Sequence, residues 1–576
     1  MTRAATLGLI LIAAIALGLR LPRLDERPLH ADESVHAIKF LGLWEGRGYR
    51  YDPDEYHGPT LYYASLPFAW LSSFVPSRTA DADTNDQASR LREGTLRLVP
   101  LAFGLGLILL LPLLRDALGR GGVLGAGLFT ALSPAFVYYS RYYIHELLLV
   151  FFTLLFVAAA WRFWKSGTIA WAIVSGAAVG AMHATKETFV FALAALAGAA
   201  VATVLWERWI PSPASTEAEP RRNSPCRQEN QEVQSGPAPG AVRAPGGESG
   251  GFVFGEWRDR ARLRLRWQPG LAAVAAALTA SIVLFTSFFT NWNGPIDSVR
   301  TYLPWFGRAS GQSLHIHPWS FYFERLLWFH FPKGPVWSEA LIFLLAVAGW
   351  IAALWGRKPA DGCVRFLRFA GFYAFGLTAI YTVIPYKTPW CLVGFHHGFI
   401  LLAGAALPIL WSLLRKWRGG RLAVFAVLAL AAGQLTVQAW RGAFPYATDR
   451  RNPYVYAHTS RDLLRLVTTI RDITRYAPLG DADVIKVMAP GGDYWPLPWY
   501  LRRYANVGWY SQVPEDPYGT LMVVSSSFEA ELDERSEKKW LMIGLFEDRP
   551  RVFFELYVAF DCWKTYLERR PKPPDD

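Results

Sequence analysis

Long apolar runs constrain the fold of this chain more than any other feature. Leu7 to Leu21 and Leu96 to Leu114 are two of them, and about 18–20 apolar residues are enough to cross the hydrocarbon core of a bilayer. Hydrophobic residues make up 52% of the 576 residues, and charged residues only 18%. Because such composition exceeds that of ordinary soluble proteins, we predict a polytopic α-helical membrane protein.

About eleven transmembrane helices are predicted. They lie near residues 5–21, 96–114, 122–139, 146–162, 169–184, 188–206, 270–290, 339–355, 369–385, 392–413 and 422–440. No convincing small-residue cleavage site follows the first, so we interpret it as an uncleaved span. Arg and Lys cluster in alternate loops, which predicts a cytoplasmic N-terminus. The long loop 22–95 and everything after Trp440 are then predicted to lie on the extracytoplasmic side.

Two domains are predicted, a transmembrane domain over 1–440 and a small extracytoplasmic α/β domain over 441–576. In the second, SRDLLRLVTTIRDITRYA has helical periodicity, DVIKVMA and LMVVSSS resemble strands, and AELDERSEKKW resembles an exposed helix. Residues 211–251 are rich in Pro, Gly and Ser, which predicts a disordered cytoplasmic linker.

Charge and cysteine content exclude several classes of function. The net charge is +12, but Lys and Arg accumulate in cytoplasmic loops for topological reasons, so we expect membrane lipids and no nucleic acid as partners. The four cysteines show no paired spacing. Neither a disulfide framework nor a cysteine zinc site is therefore indicated.

The first outer loop contains a candidate acidic site in HADESVHAIKF. Asp32 and Glu33 follow the first span closely, and Asp32 shares a helix face with His36 at spacing i, i+4. A carboxylate at the membrane surface can deprotonate an acceptor hydroxyl, and two carboxylates with a histidine could hold a divalent ion. Asp32 could equally cap a helix, since Asp is a preferred N-cap residue.

Three cations occur in turns on the same side of the predicted membrane as Asp32, namely Arg141 in SRYYIHE, Lys186 in HATKET and Lys387 in YKTPW. Ionisable residues at bilayer depth are costly unless paired or used, so the set predicts an anion such as a lipid-linked phosphate. Any one of them could instead snorkel to headgroups or pair with a neighbour. Further candidate site residues are His36, His57, His145, Glu146 and Glu187.

A histidine pair, His315 and His317, lies in the extended segment SLHIHPW. Two histidines at this spacing could bind a metal ion, but without further ligands the signal is weak.

Taken in order, ADE at 31–33, SRYYIHE at 140–146, TKE at 185–187 and YKTPW at 386–390 are characteristic. This set resembles the GT-C class of membrane glycosyltransferases, specifically the dolichyl-phosphate-mannose protein mannosyltransferase superfamily, over residues 1–440. HADES, YHGP, YKTPW and WPLPWYLRRY most resemble a prokaryotic branch described as flippase-activity-associated glycosyltransferase-like proteins.

The resemblance implies transfer of a sugar from a polyprenyl-phosphate donor to a protein, lipid or glycan acceptor, with inversion at the anomeric carbon. It implies that Asp32 acts on the acceptor with Glu33 beside it, and that Arg141, Lys186 and Lys387 neutralise the donor phosphate. Some GT-C enzymes use a divalent metal and others do not. Because the ADE segment lacks an Asp-x-Asp pair, no cofactor is assigned and a metal ion stays open.

Two other classes of function remain. A lipid-linked oligosaccharide flippase, or an accessory protein of one, would use the same cations to grip a phosphate without chemistry. A sensor or scaffold would bind a partner through its C-terminal domain. Asp32 discriminates between these classes, because only a transferase needs its carboxylate as a base.

Overall fold

The computed structural model describes residues 2–55, 57–74, 91–210, 267–305, 315–480 and 483–571. Within these ranges, eight helices are long and apolar enough to cross a membrane, and two shorter helices are also apolar. The eight are Arg3–Arg20, Glu93–Leu118, Glu146–Ser166, Phe189–Trp209, Trp267–Phe285, Val364–Val383, Pro389–Leu413 and Arg418–Ala443. The shorter two are Ile169–His183 and Ala340–Leu354. The predicted polytopic helical fold is confirmed.

Helices of more than one turn are labelled in chain order. They are α1 (Arg3–Arg20), α2 (Ala31–Trp44), α3 (Thr60–Ser72), α4 (Glu93–Leu110), α5 (Arg120–Leu132), α6 (Pro134–Tyr139), α7 (Glu146–Ser166), α8 (Ile169–His183), α9 (Phe189–Trp209), α10 (Trp267–Phe285), α11 (Gly294–Arg300), α12 (Phe321–Leu327), α13 (Ala340–Leu354), α14 (Val364–Val383), α15 (Leu392–Leu413), α16 (Arg418–Ala443), α17 (Asp462–Tyr476) and α18 (Phe560–Arg569).

The predicted span 122–139 consists of two helices, α5 and α6, that meet at Ser133. Ser133 has an extended ψ of 120° and its side chain caps α6. The break follows from Pro134, because a proline disfavours helical geometry in the residue before it.

Small residues attach the lipid-exposed helix α10 to α8. A Cβ atom added at Gly176 would lie 1.9 Å from the carbonyl oxygen of Ala273, and one added at Gly180 would lie 2.3 Å from that of Ala277. The two backbones therefore approach more closely than any larger side chain allows, as is common between membrane helices.

The chain after α16 contains a five-stranded sheet with the order β4-β3-β5-β7-β6. The strands are β3 (Ile485–Met488), β4 (Val507–Tyr510), β5 (Leu521–Ser525), β6 (Trp540–Arg549) and β7 (Val552–Ala559), and a short hairpin of β1 (Phe329–His330) and β2 (Val336–Trp337) precedes them. Strand β3 runs parallel to β4 and β5, whereas β7 is antiparallel to β5 and β6. A C-terminal region with helices and a small sheet is present, as predicted.

The helix predicted for AELDERSEKKW is wrong. Only one turn forms, at Leu532–Arg535, and strand β6 begins at Trp540. Glu537 and Lys538 adopt φ values of 53° and 65°, which a right-handed helix does not allow.

Two other predictions are not tested by the structure. The proposed linker 211–251 lies outside the described residues. Helix α16 continues to Ala443, and the division of the chain at residue 440 stays a prediction.

Candidate functional site

The N-terminus of α2 presents the two acidic candidates differently. His30 is the N-cap residue: its ring accepts a hydrogen bond from the Asp32 backbone N–H, while the Glu33 side chain accepts from the His30 backbone N–H. This reciprocal pair is a capping box with histidine in the position usually held by Ser or Thr. Asp32 therefore does not cap the helix, which removes the alternative explanation for it.

Glu33 is completely buried and bound on all sides. Its carboxylate lies 2.8 Å from a guanidinium nitrogen of Arg27 and 3.0 Å from two nitrogens of Arg97, and it accepts a further hydrogen bond from the Tyr143 backbone N–H. Burial alone would raise the pKa of Glu33, but Arg27 and Arg97 lower it to about 2. Glu33 is thus charged at neutral pH and links the first loop to α4.

Asp32 faces an open space instead. Its side chain is 45% exposed, and a carboxylate oxygen lies 3.8 Å from the His30 ring nitrogen Nδ1. Burial raises the pKa of Tyr386 to about 12, and the charges of Asp32 (raising) and Lys186 (lowering) both act on it. Tyr386 packs against His315, with 4.8 Å between the ring centroids. We call the side of the helical bundle that carries Asp32, Lys186 and Lys387 the site face.

A tyrosine from beyond the last membrane helix completes the surroundings of Asp32. The Tyr456 hydroxyl is hydrogen-bonded to His315 Nδ1 at 2.7 Å and to His317 Nε2 at 3.0 Å. The backbone carbonyl oxygen of Tyr456 accepts a hydrogen bond from His30 Nε2 at 3.0 Å. Because that last bond fixes the proton on Nε2, His30 Nδ1 is free to accept from Asp32. Both histidines of the pair therefore lie within hydrogen-bond distance of one tyrosine hydroxyl.

The aromatic segment WPLPWY supports the same helix from the sheet side. The Ser34 hydroxyl donates to the Pro496 carbonyl at 3.2 Å, and the Leu29 N–H donates to the Tyr500 hydroxyl at 2.8 Å. The C-terminal region thus contacts the chain just before the α2 N-terminus, at Leu29, and just after it, at Ser34.

Lys387 is buried, and its ammonium donates to two backbone carbonyls, those of Ile384 at 2.5 Å and His317 at 3.2 Å. Within the described part of the chain, no carboxylate forms an ion pair with it. Burial lowers the pKa of Lys387. A buried ammonium held only by neutral carbonyls retains its attraction for an anion.

Lys186, in contrast, pairs with a carboxylate. Its buried ammonium contacts Glu146 closely. Burial alone would lower the pKa of Lys186, but Glu146 and Glu187 raise it well above its ordinary value. The pair links the start of α7 to the turn between α8 and α9.

The YHGP segment lies directly against this turn. Gly58 N–H donates to the Thr185 carbonyl at 3.0 Å, and a Cβ atom at Gly58 would lie 2.0 Å from the Ala184 carbonyl oxygen. Glycine is therefore required here by close backbone approach. The contact places His57 3.3 Å from Glu187.

Three imidazoles form a cluster behind Lys186. The ring centroids of His36, His57 and His145 lie 4.7–5.3 Å apart. Burial and the neighbouring positive groups lower the pKa of His36 and His145 well below the ordinary value, so both rings are neutral. Among the described residues no group of three or more His, Cys, Asp or Glu is arranged to hold a metal ion.

Arg141 is bound to backbone carbonyls and an aromatic ring, which differs from what we expect of a residue that binds a phosphate. Its guanidinium donates to the carbonyls of Arg20, Pro22 and Arg23 at 2.6–3.1 Å and lies over the Phe444 ring. These bonds fasten the end of α1 to the SRYYIHE turn.

An apolar cavity extends from Lys186 into the membrane region. Three helices each line the cavity with one stripe of side chains. The stripe on α7 consists of Glu146, Leu149, Val150, Thr153, Leu154 and Val157. From Glu146 to Val157 the helix rises about 16 Å. Lys186, Trp390 and Cys391 line the end at the site face. Trp390 also packs against His30, 6.1 Å between ring centroids, so it separates the cavity from the Asp32 side.

Sequence reasoning missed several of these residues. Arg97 interrupts a predicted apolar span, and a charge at that depth signals a buried partner. Glu339 is equally buried and binds Ser133, His396 and Tyr454. Tyr456 carried no local signal.

Comparisons with known proteins agree with this architecture. Residues 92–216 match the family model of dolichyl-phosphate-mannose-protein mannosyltransferase. A search of curated proteins found no significant match. Among solved structures, ArnT from Cupriavidus metallidurans in the apo state has a TM-score of 0.55 at 16% identity, with 96% of this chain and 98% of ArnT covered.

The same enzyme bound to undecaprenyl phosphate gives a TM-score of 0.57 at 15% identity, covering 95% of this chain and 97% of that one. Likeness at this identity concerns the fold. The chain therefore has the fold of the GT-C membrane glycosyltransferases, as the sequence resemblance predicted.

Proposed function

We propose that this protein is a glycosyltransferase that moves a sugar from a polyprenyl-phosphate donor to an acceptor outside the cytoplasmic membrane of a prokaryote. The observation that carries the proposal is the apolar cavity that ends at Lys186 and Trp390, with the exposed Asp32 carboxylate on the other side of Trp390. Its shape and chemistry suit a long isoprenoid chain with an anionic head. A protein, lipid or glycan hydroxyl would approach from the Asp32 side.

In the proposed reaction, Asp32 removes the proton from the acceptor hydroxyl as its oxygen attacks the anomeric carbon. The bond between that carbon and the phosphate oxygen breaks, and the polyprenyl phosphate leaves with the electron pair. A single displacement of this kind inverts the anomeric configuration. The acceptor proton ends on Asp32 and is released to water.

Lys387 and Lys186 are assigned to the leaving phosphate. Among the described residues, the Lys387 ammonium donates only to neutral backbone carbonyls, which a phosphate could replace. Lys186 would instead share its charge between Glu146 and the phosphate. The support for this pair is that Lys387 follows Tyr386 in the chain and that the charges of Asp32 and Lys186 both act on the pKa of Tyr386.

The remaining predicted residues are assigned positioning roles. Glu33 and Arg141 are engaged by arginines and by backbone carbonyls respectively, so we infer that they hold the first loop in place. The cluster of His36, His57 and His145, with Glu187 beside it, would hold the Lys186 turn in position.

The donor assignment can be tested at Cys391, which lines the cavity beside Lys186. Purified protein in nanodiscs is treated with a membrane-permeable methanethiosulfonate, with and without undecaprenyl phosphate. We expect the lipid to protect Cys391, while Cys562 on α18 reacts equally in both samples. Cys391→Ser identifies the labelled site, and labelling that ignores the lipid would contradict the assignment.

Transfer itself is tested with radiolabelled undecaprenyl-phosphate hexoses and pentoses. A transferase releases sugar and free undecaprenyl phosphate, whereas a flippase moves the intact lipid between leaflets. Sugar release with at least one donor supports the proposal. Binding or transbilayer movement without release from any donor would contradict it and favour the flippase.

A further inference from the structure

The segment after α10, residues 288–305, turns its apolar side chains away from the protein. Six of them are more than half exposed: Phe288, Phe289, Trp292, Ile296, Val299 and Leu303. The last four follow each other at intervals of four, three and four residues, which places them along one face of a helical segment.

The opposite face of the same segment is small or polar and buried. Gly294, Ser298 and Thr301 face the protein. This pattern is the reverse of that of a helix on a water-exposed surface, where apolar residues point to the core. An apolar medium must therefore cover the outer face.

Lipid is the occupant that the surroundings indicate. The exposed face is continuous with the outer surface of α10, where Leu271, Val274 and Leu278 are likewise exposed. That helix is among those long and apolar enough to cross the membrane. An ion pair between Asp297 and Arg300, 3.3 Å apart, lies on the segment, as expected of a helix lying at headgroup level.

Two hydrogen bonds connect this segment to residues around the site. The Thr301 hydroxyl donates to the Pro53 carbonyl at 2.7 Å, and the Tyr302 hydroxyl donates to the Glu187 carbonyl at 2.9 Å. Glu187 follows Lys186 in the chain. The Tyr302 bond therefore ties the segment to the Lys186 turn.

We propose that residues 288–305 form a membrane-docking element that lies in the leaflet on the site face and holds the Lys186 turn at headgroup depth. The membrane contact stands on the exposed apolar face alone, whereas its effect on donor use rests on the proposed function. The two parts are tested separately.

Depth is measured with nitroxide labels in nanodiscs, in a chain whose native cysteines are replaced by serine. Labels at Ile296→Cys and Val299→Cys are compared with one at Glu534→Cys, an exposed site in the sheet region. We expect collisions with oxygen to exceed those with a water-soluble nickel chelate at the first two positions, and the reverse at Glu534. Equal exposure to the chelate at all three would overturn the proposal.

Donor use is measured with Ile296→Glu/Val299→Glu, and with Leu545→Glu as the matched control at an exposed apolar residue of β6. We expect the double variant to raise KM for a long-chain donor in nanodiscs at least about tenfold, because charges disfavour insertion of the face. Activity on a short-chain, water-soluble donor in detergent should stay within about twofold. Equal loss in both assays, or loss in neither, would refute the link to donor use.

If the unaltered protein transfers no sugar, the proposed function fails, and the nitroxide result still decides whether the segment docks on lipid.

Discussion

Replacing Glu33 by Gln is expected to destabilise the protein, because the substitution leaves the buried guanidinium groups of Arg27 and Arg97 without a counter-charge. Breaking a buried ion pair costs about 3–5 kcal/mol. The lowering of the Glu33 pKa from 4.5 to about 2 corresponds to about 3 kcal/mol of stabilisation. The two figures are of similar size, and we expect the melting temperature in detergent to fall by about 3–4 °C.

The pH dependence has a defined sign. Because the folded-state pKa of Glu33 lies below its unfolded value, its stabilisation is fully present above pH 4.5 and is lost as the pH falls towards 2. The melting temperature of the unaltered protein should therefore approach that of Glu33→Gln as the pH decreases through this range.

Asp32→Asn provides the matched comparison, since Asp32 neighbours Glu33 and is 45% exposed. We expect its melting temperature to change by less than about 1 °C, with both variants followed by intrinsic tryptophan fluorescence. A Glu33→Gln protein as stable as the unaltered one, or an Asp32→Asn protein equally destabilised, would refute the assignment of separate roles.

Three further substitutions test other parts of the site. Lys387→Met should lower kcat/KM for the donor about 100-fold or more, because it removes a cation from the leaving phosphate. If Lys387→Arg recovers less than full activity, the site needs the compact ammonium. Tyr456→Phe should reduce kcat/KM about tenfold, because His315 and His317 lose their shared partner; an unchanged value would show that these histidines do not position the site. Gly58→Ala should destabilise the protein by about 1–3 kcal/mol in thermal unfolding, since its Cβ would lie 2.0 Å from the Ala184 carbonyl.

Apolar runs in the sequence located the ten apolar helices of the described residues, because each needs a long apolar run of its own, but the predicted span 122–139 is not one continuous helix. It also located the turns that hold Lys186 and Lys387, since charged residues between spans stand out against apolar surroundings. The break at Ser133 is explained by a local rule for the residue before proline.

Contacts between distant segments were not predictable from such patterns. The Glu33 partners Arg27 and Arg97 and the hydroxyl of Tyr456 come together only when the first loop folds against α4 and the chain after α16 returns to the site face. Sequence spacing treated Asp32 and Glu33 as an equivalent pair. The capping box at His30 is what turns one inward and leaves the other exposed.

The role of Asp32 is tested most directly by measuring transfer by Asp32→Asn and donor binding on the same sample. We expect undecaprenyl phosphate still to protect Cys391 from the thiol reagent while sugar release falls by a factor of about 1,000 or more, because an amide cannot accept the acceptor proton. Full sugar release by a folded Asp32→Asn protein would show that this carboxylate is not the base.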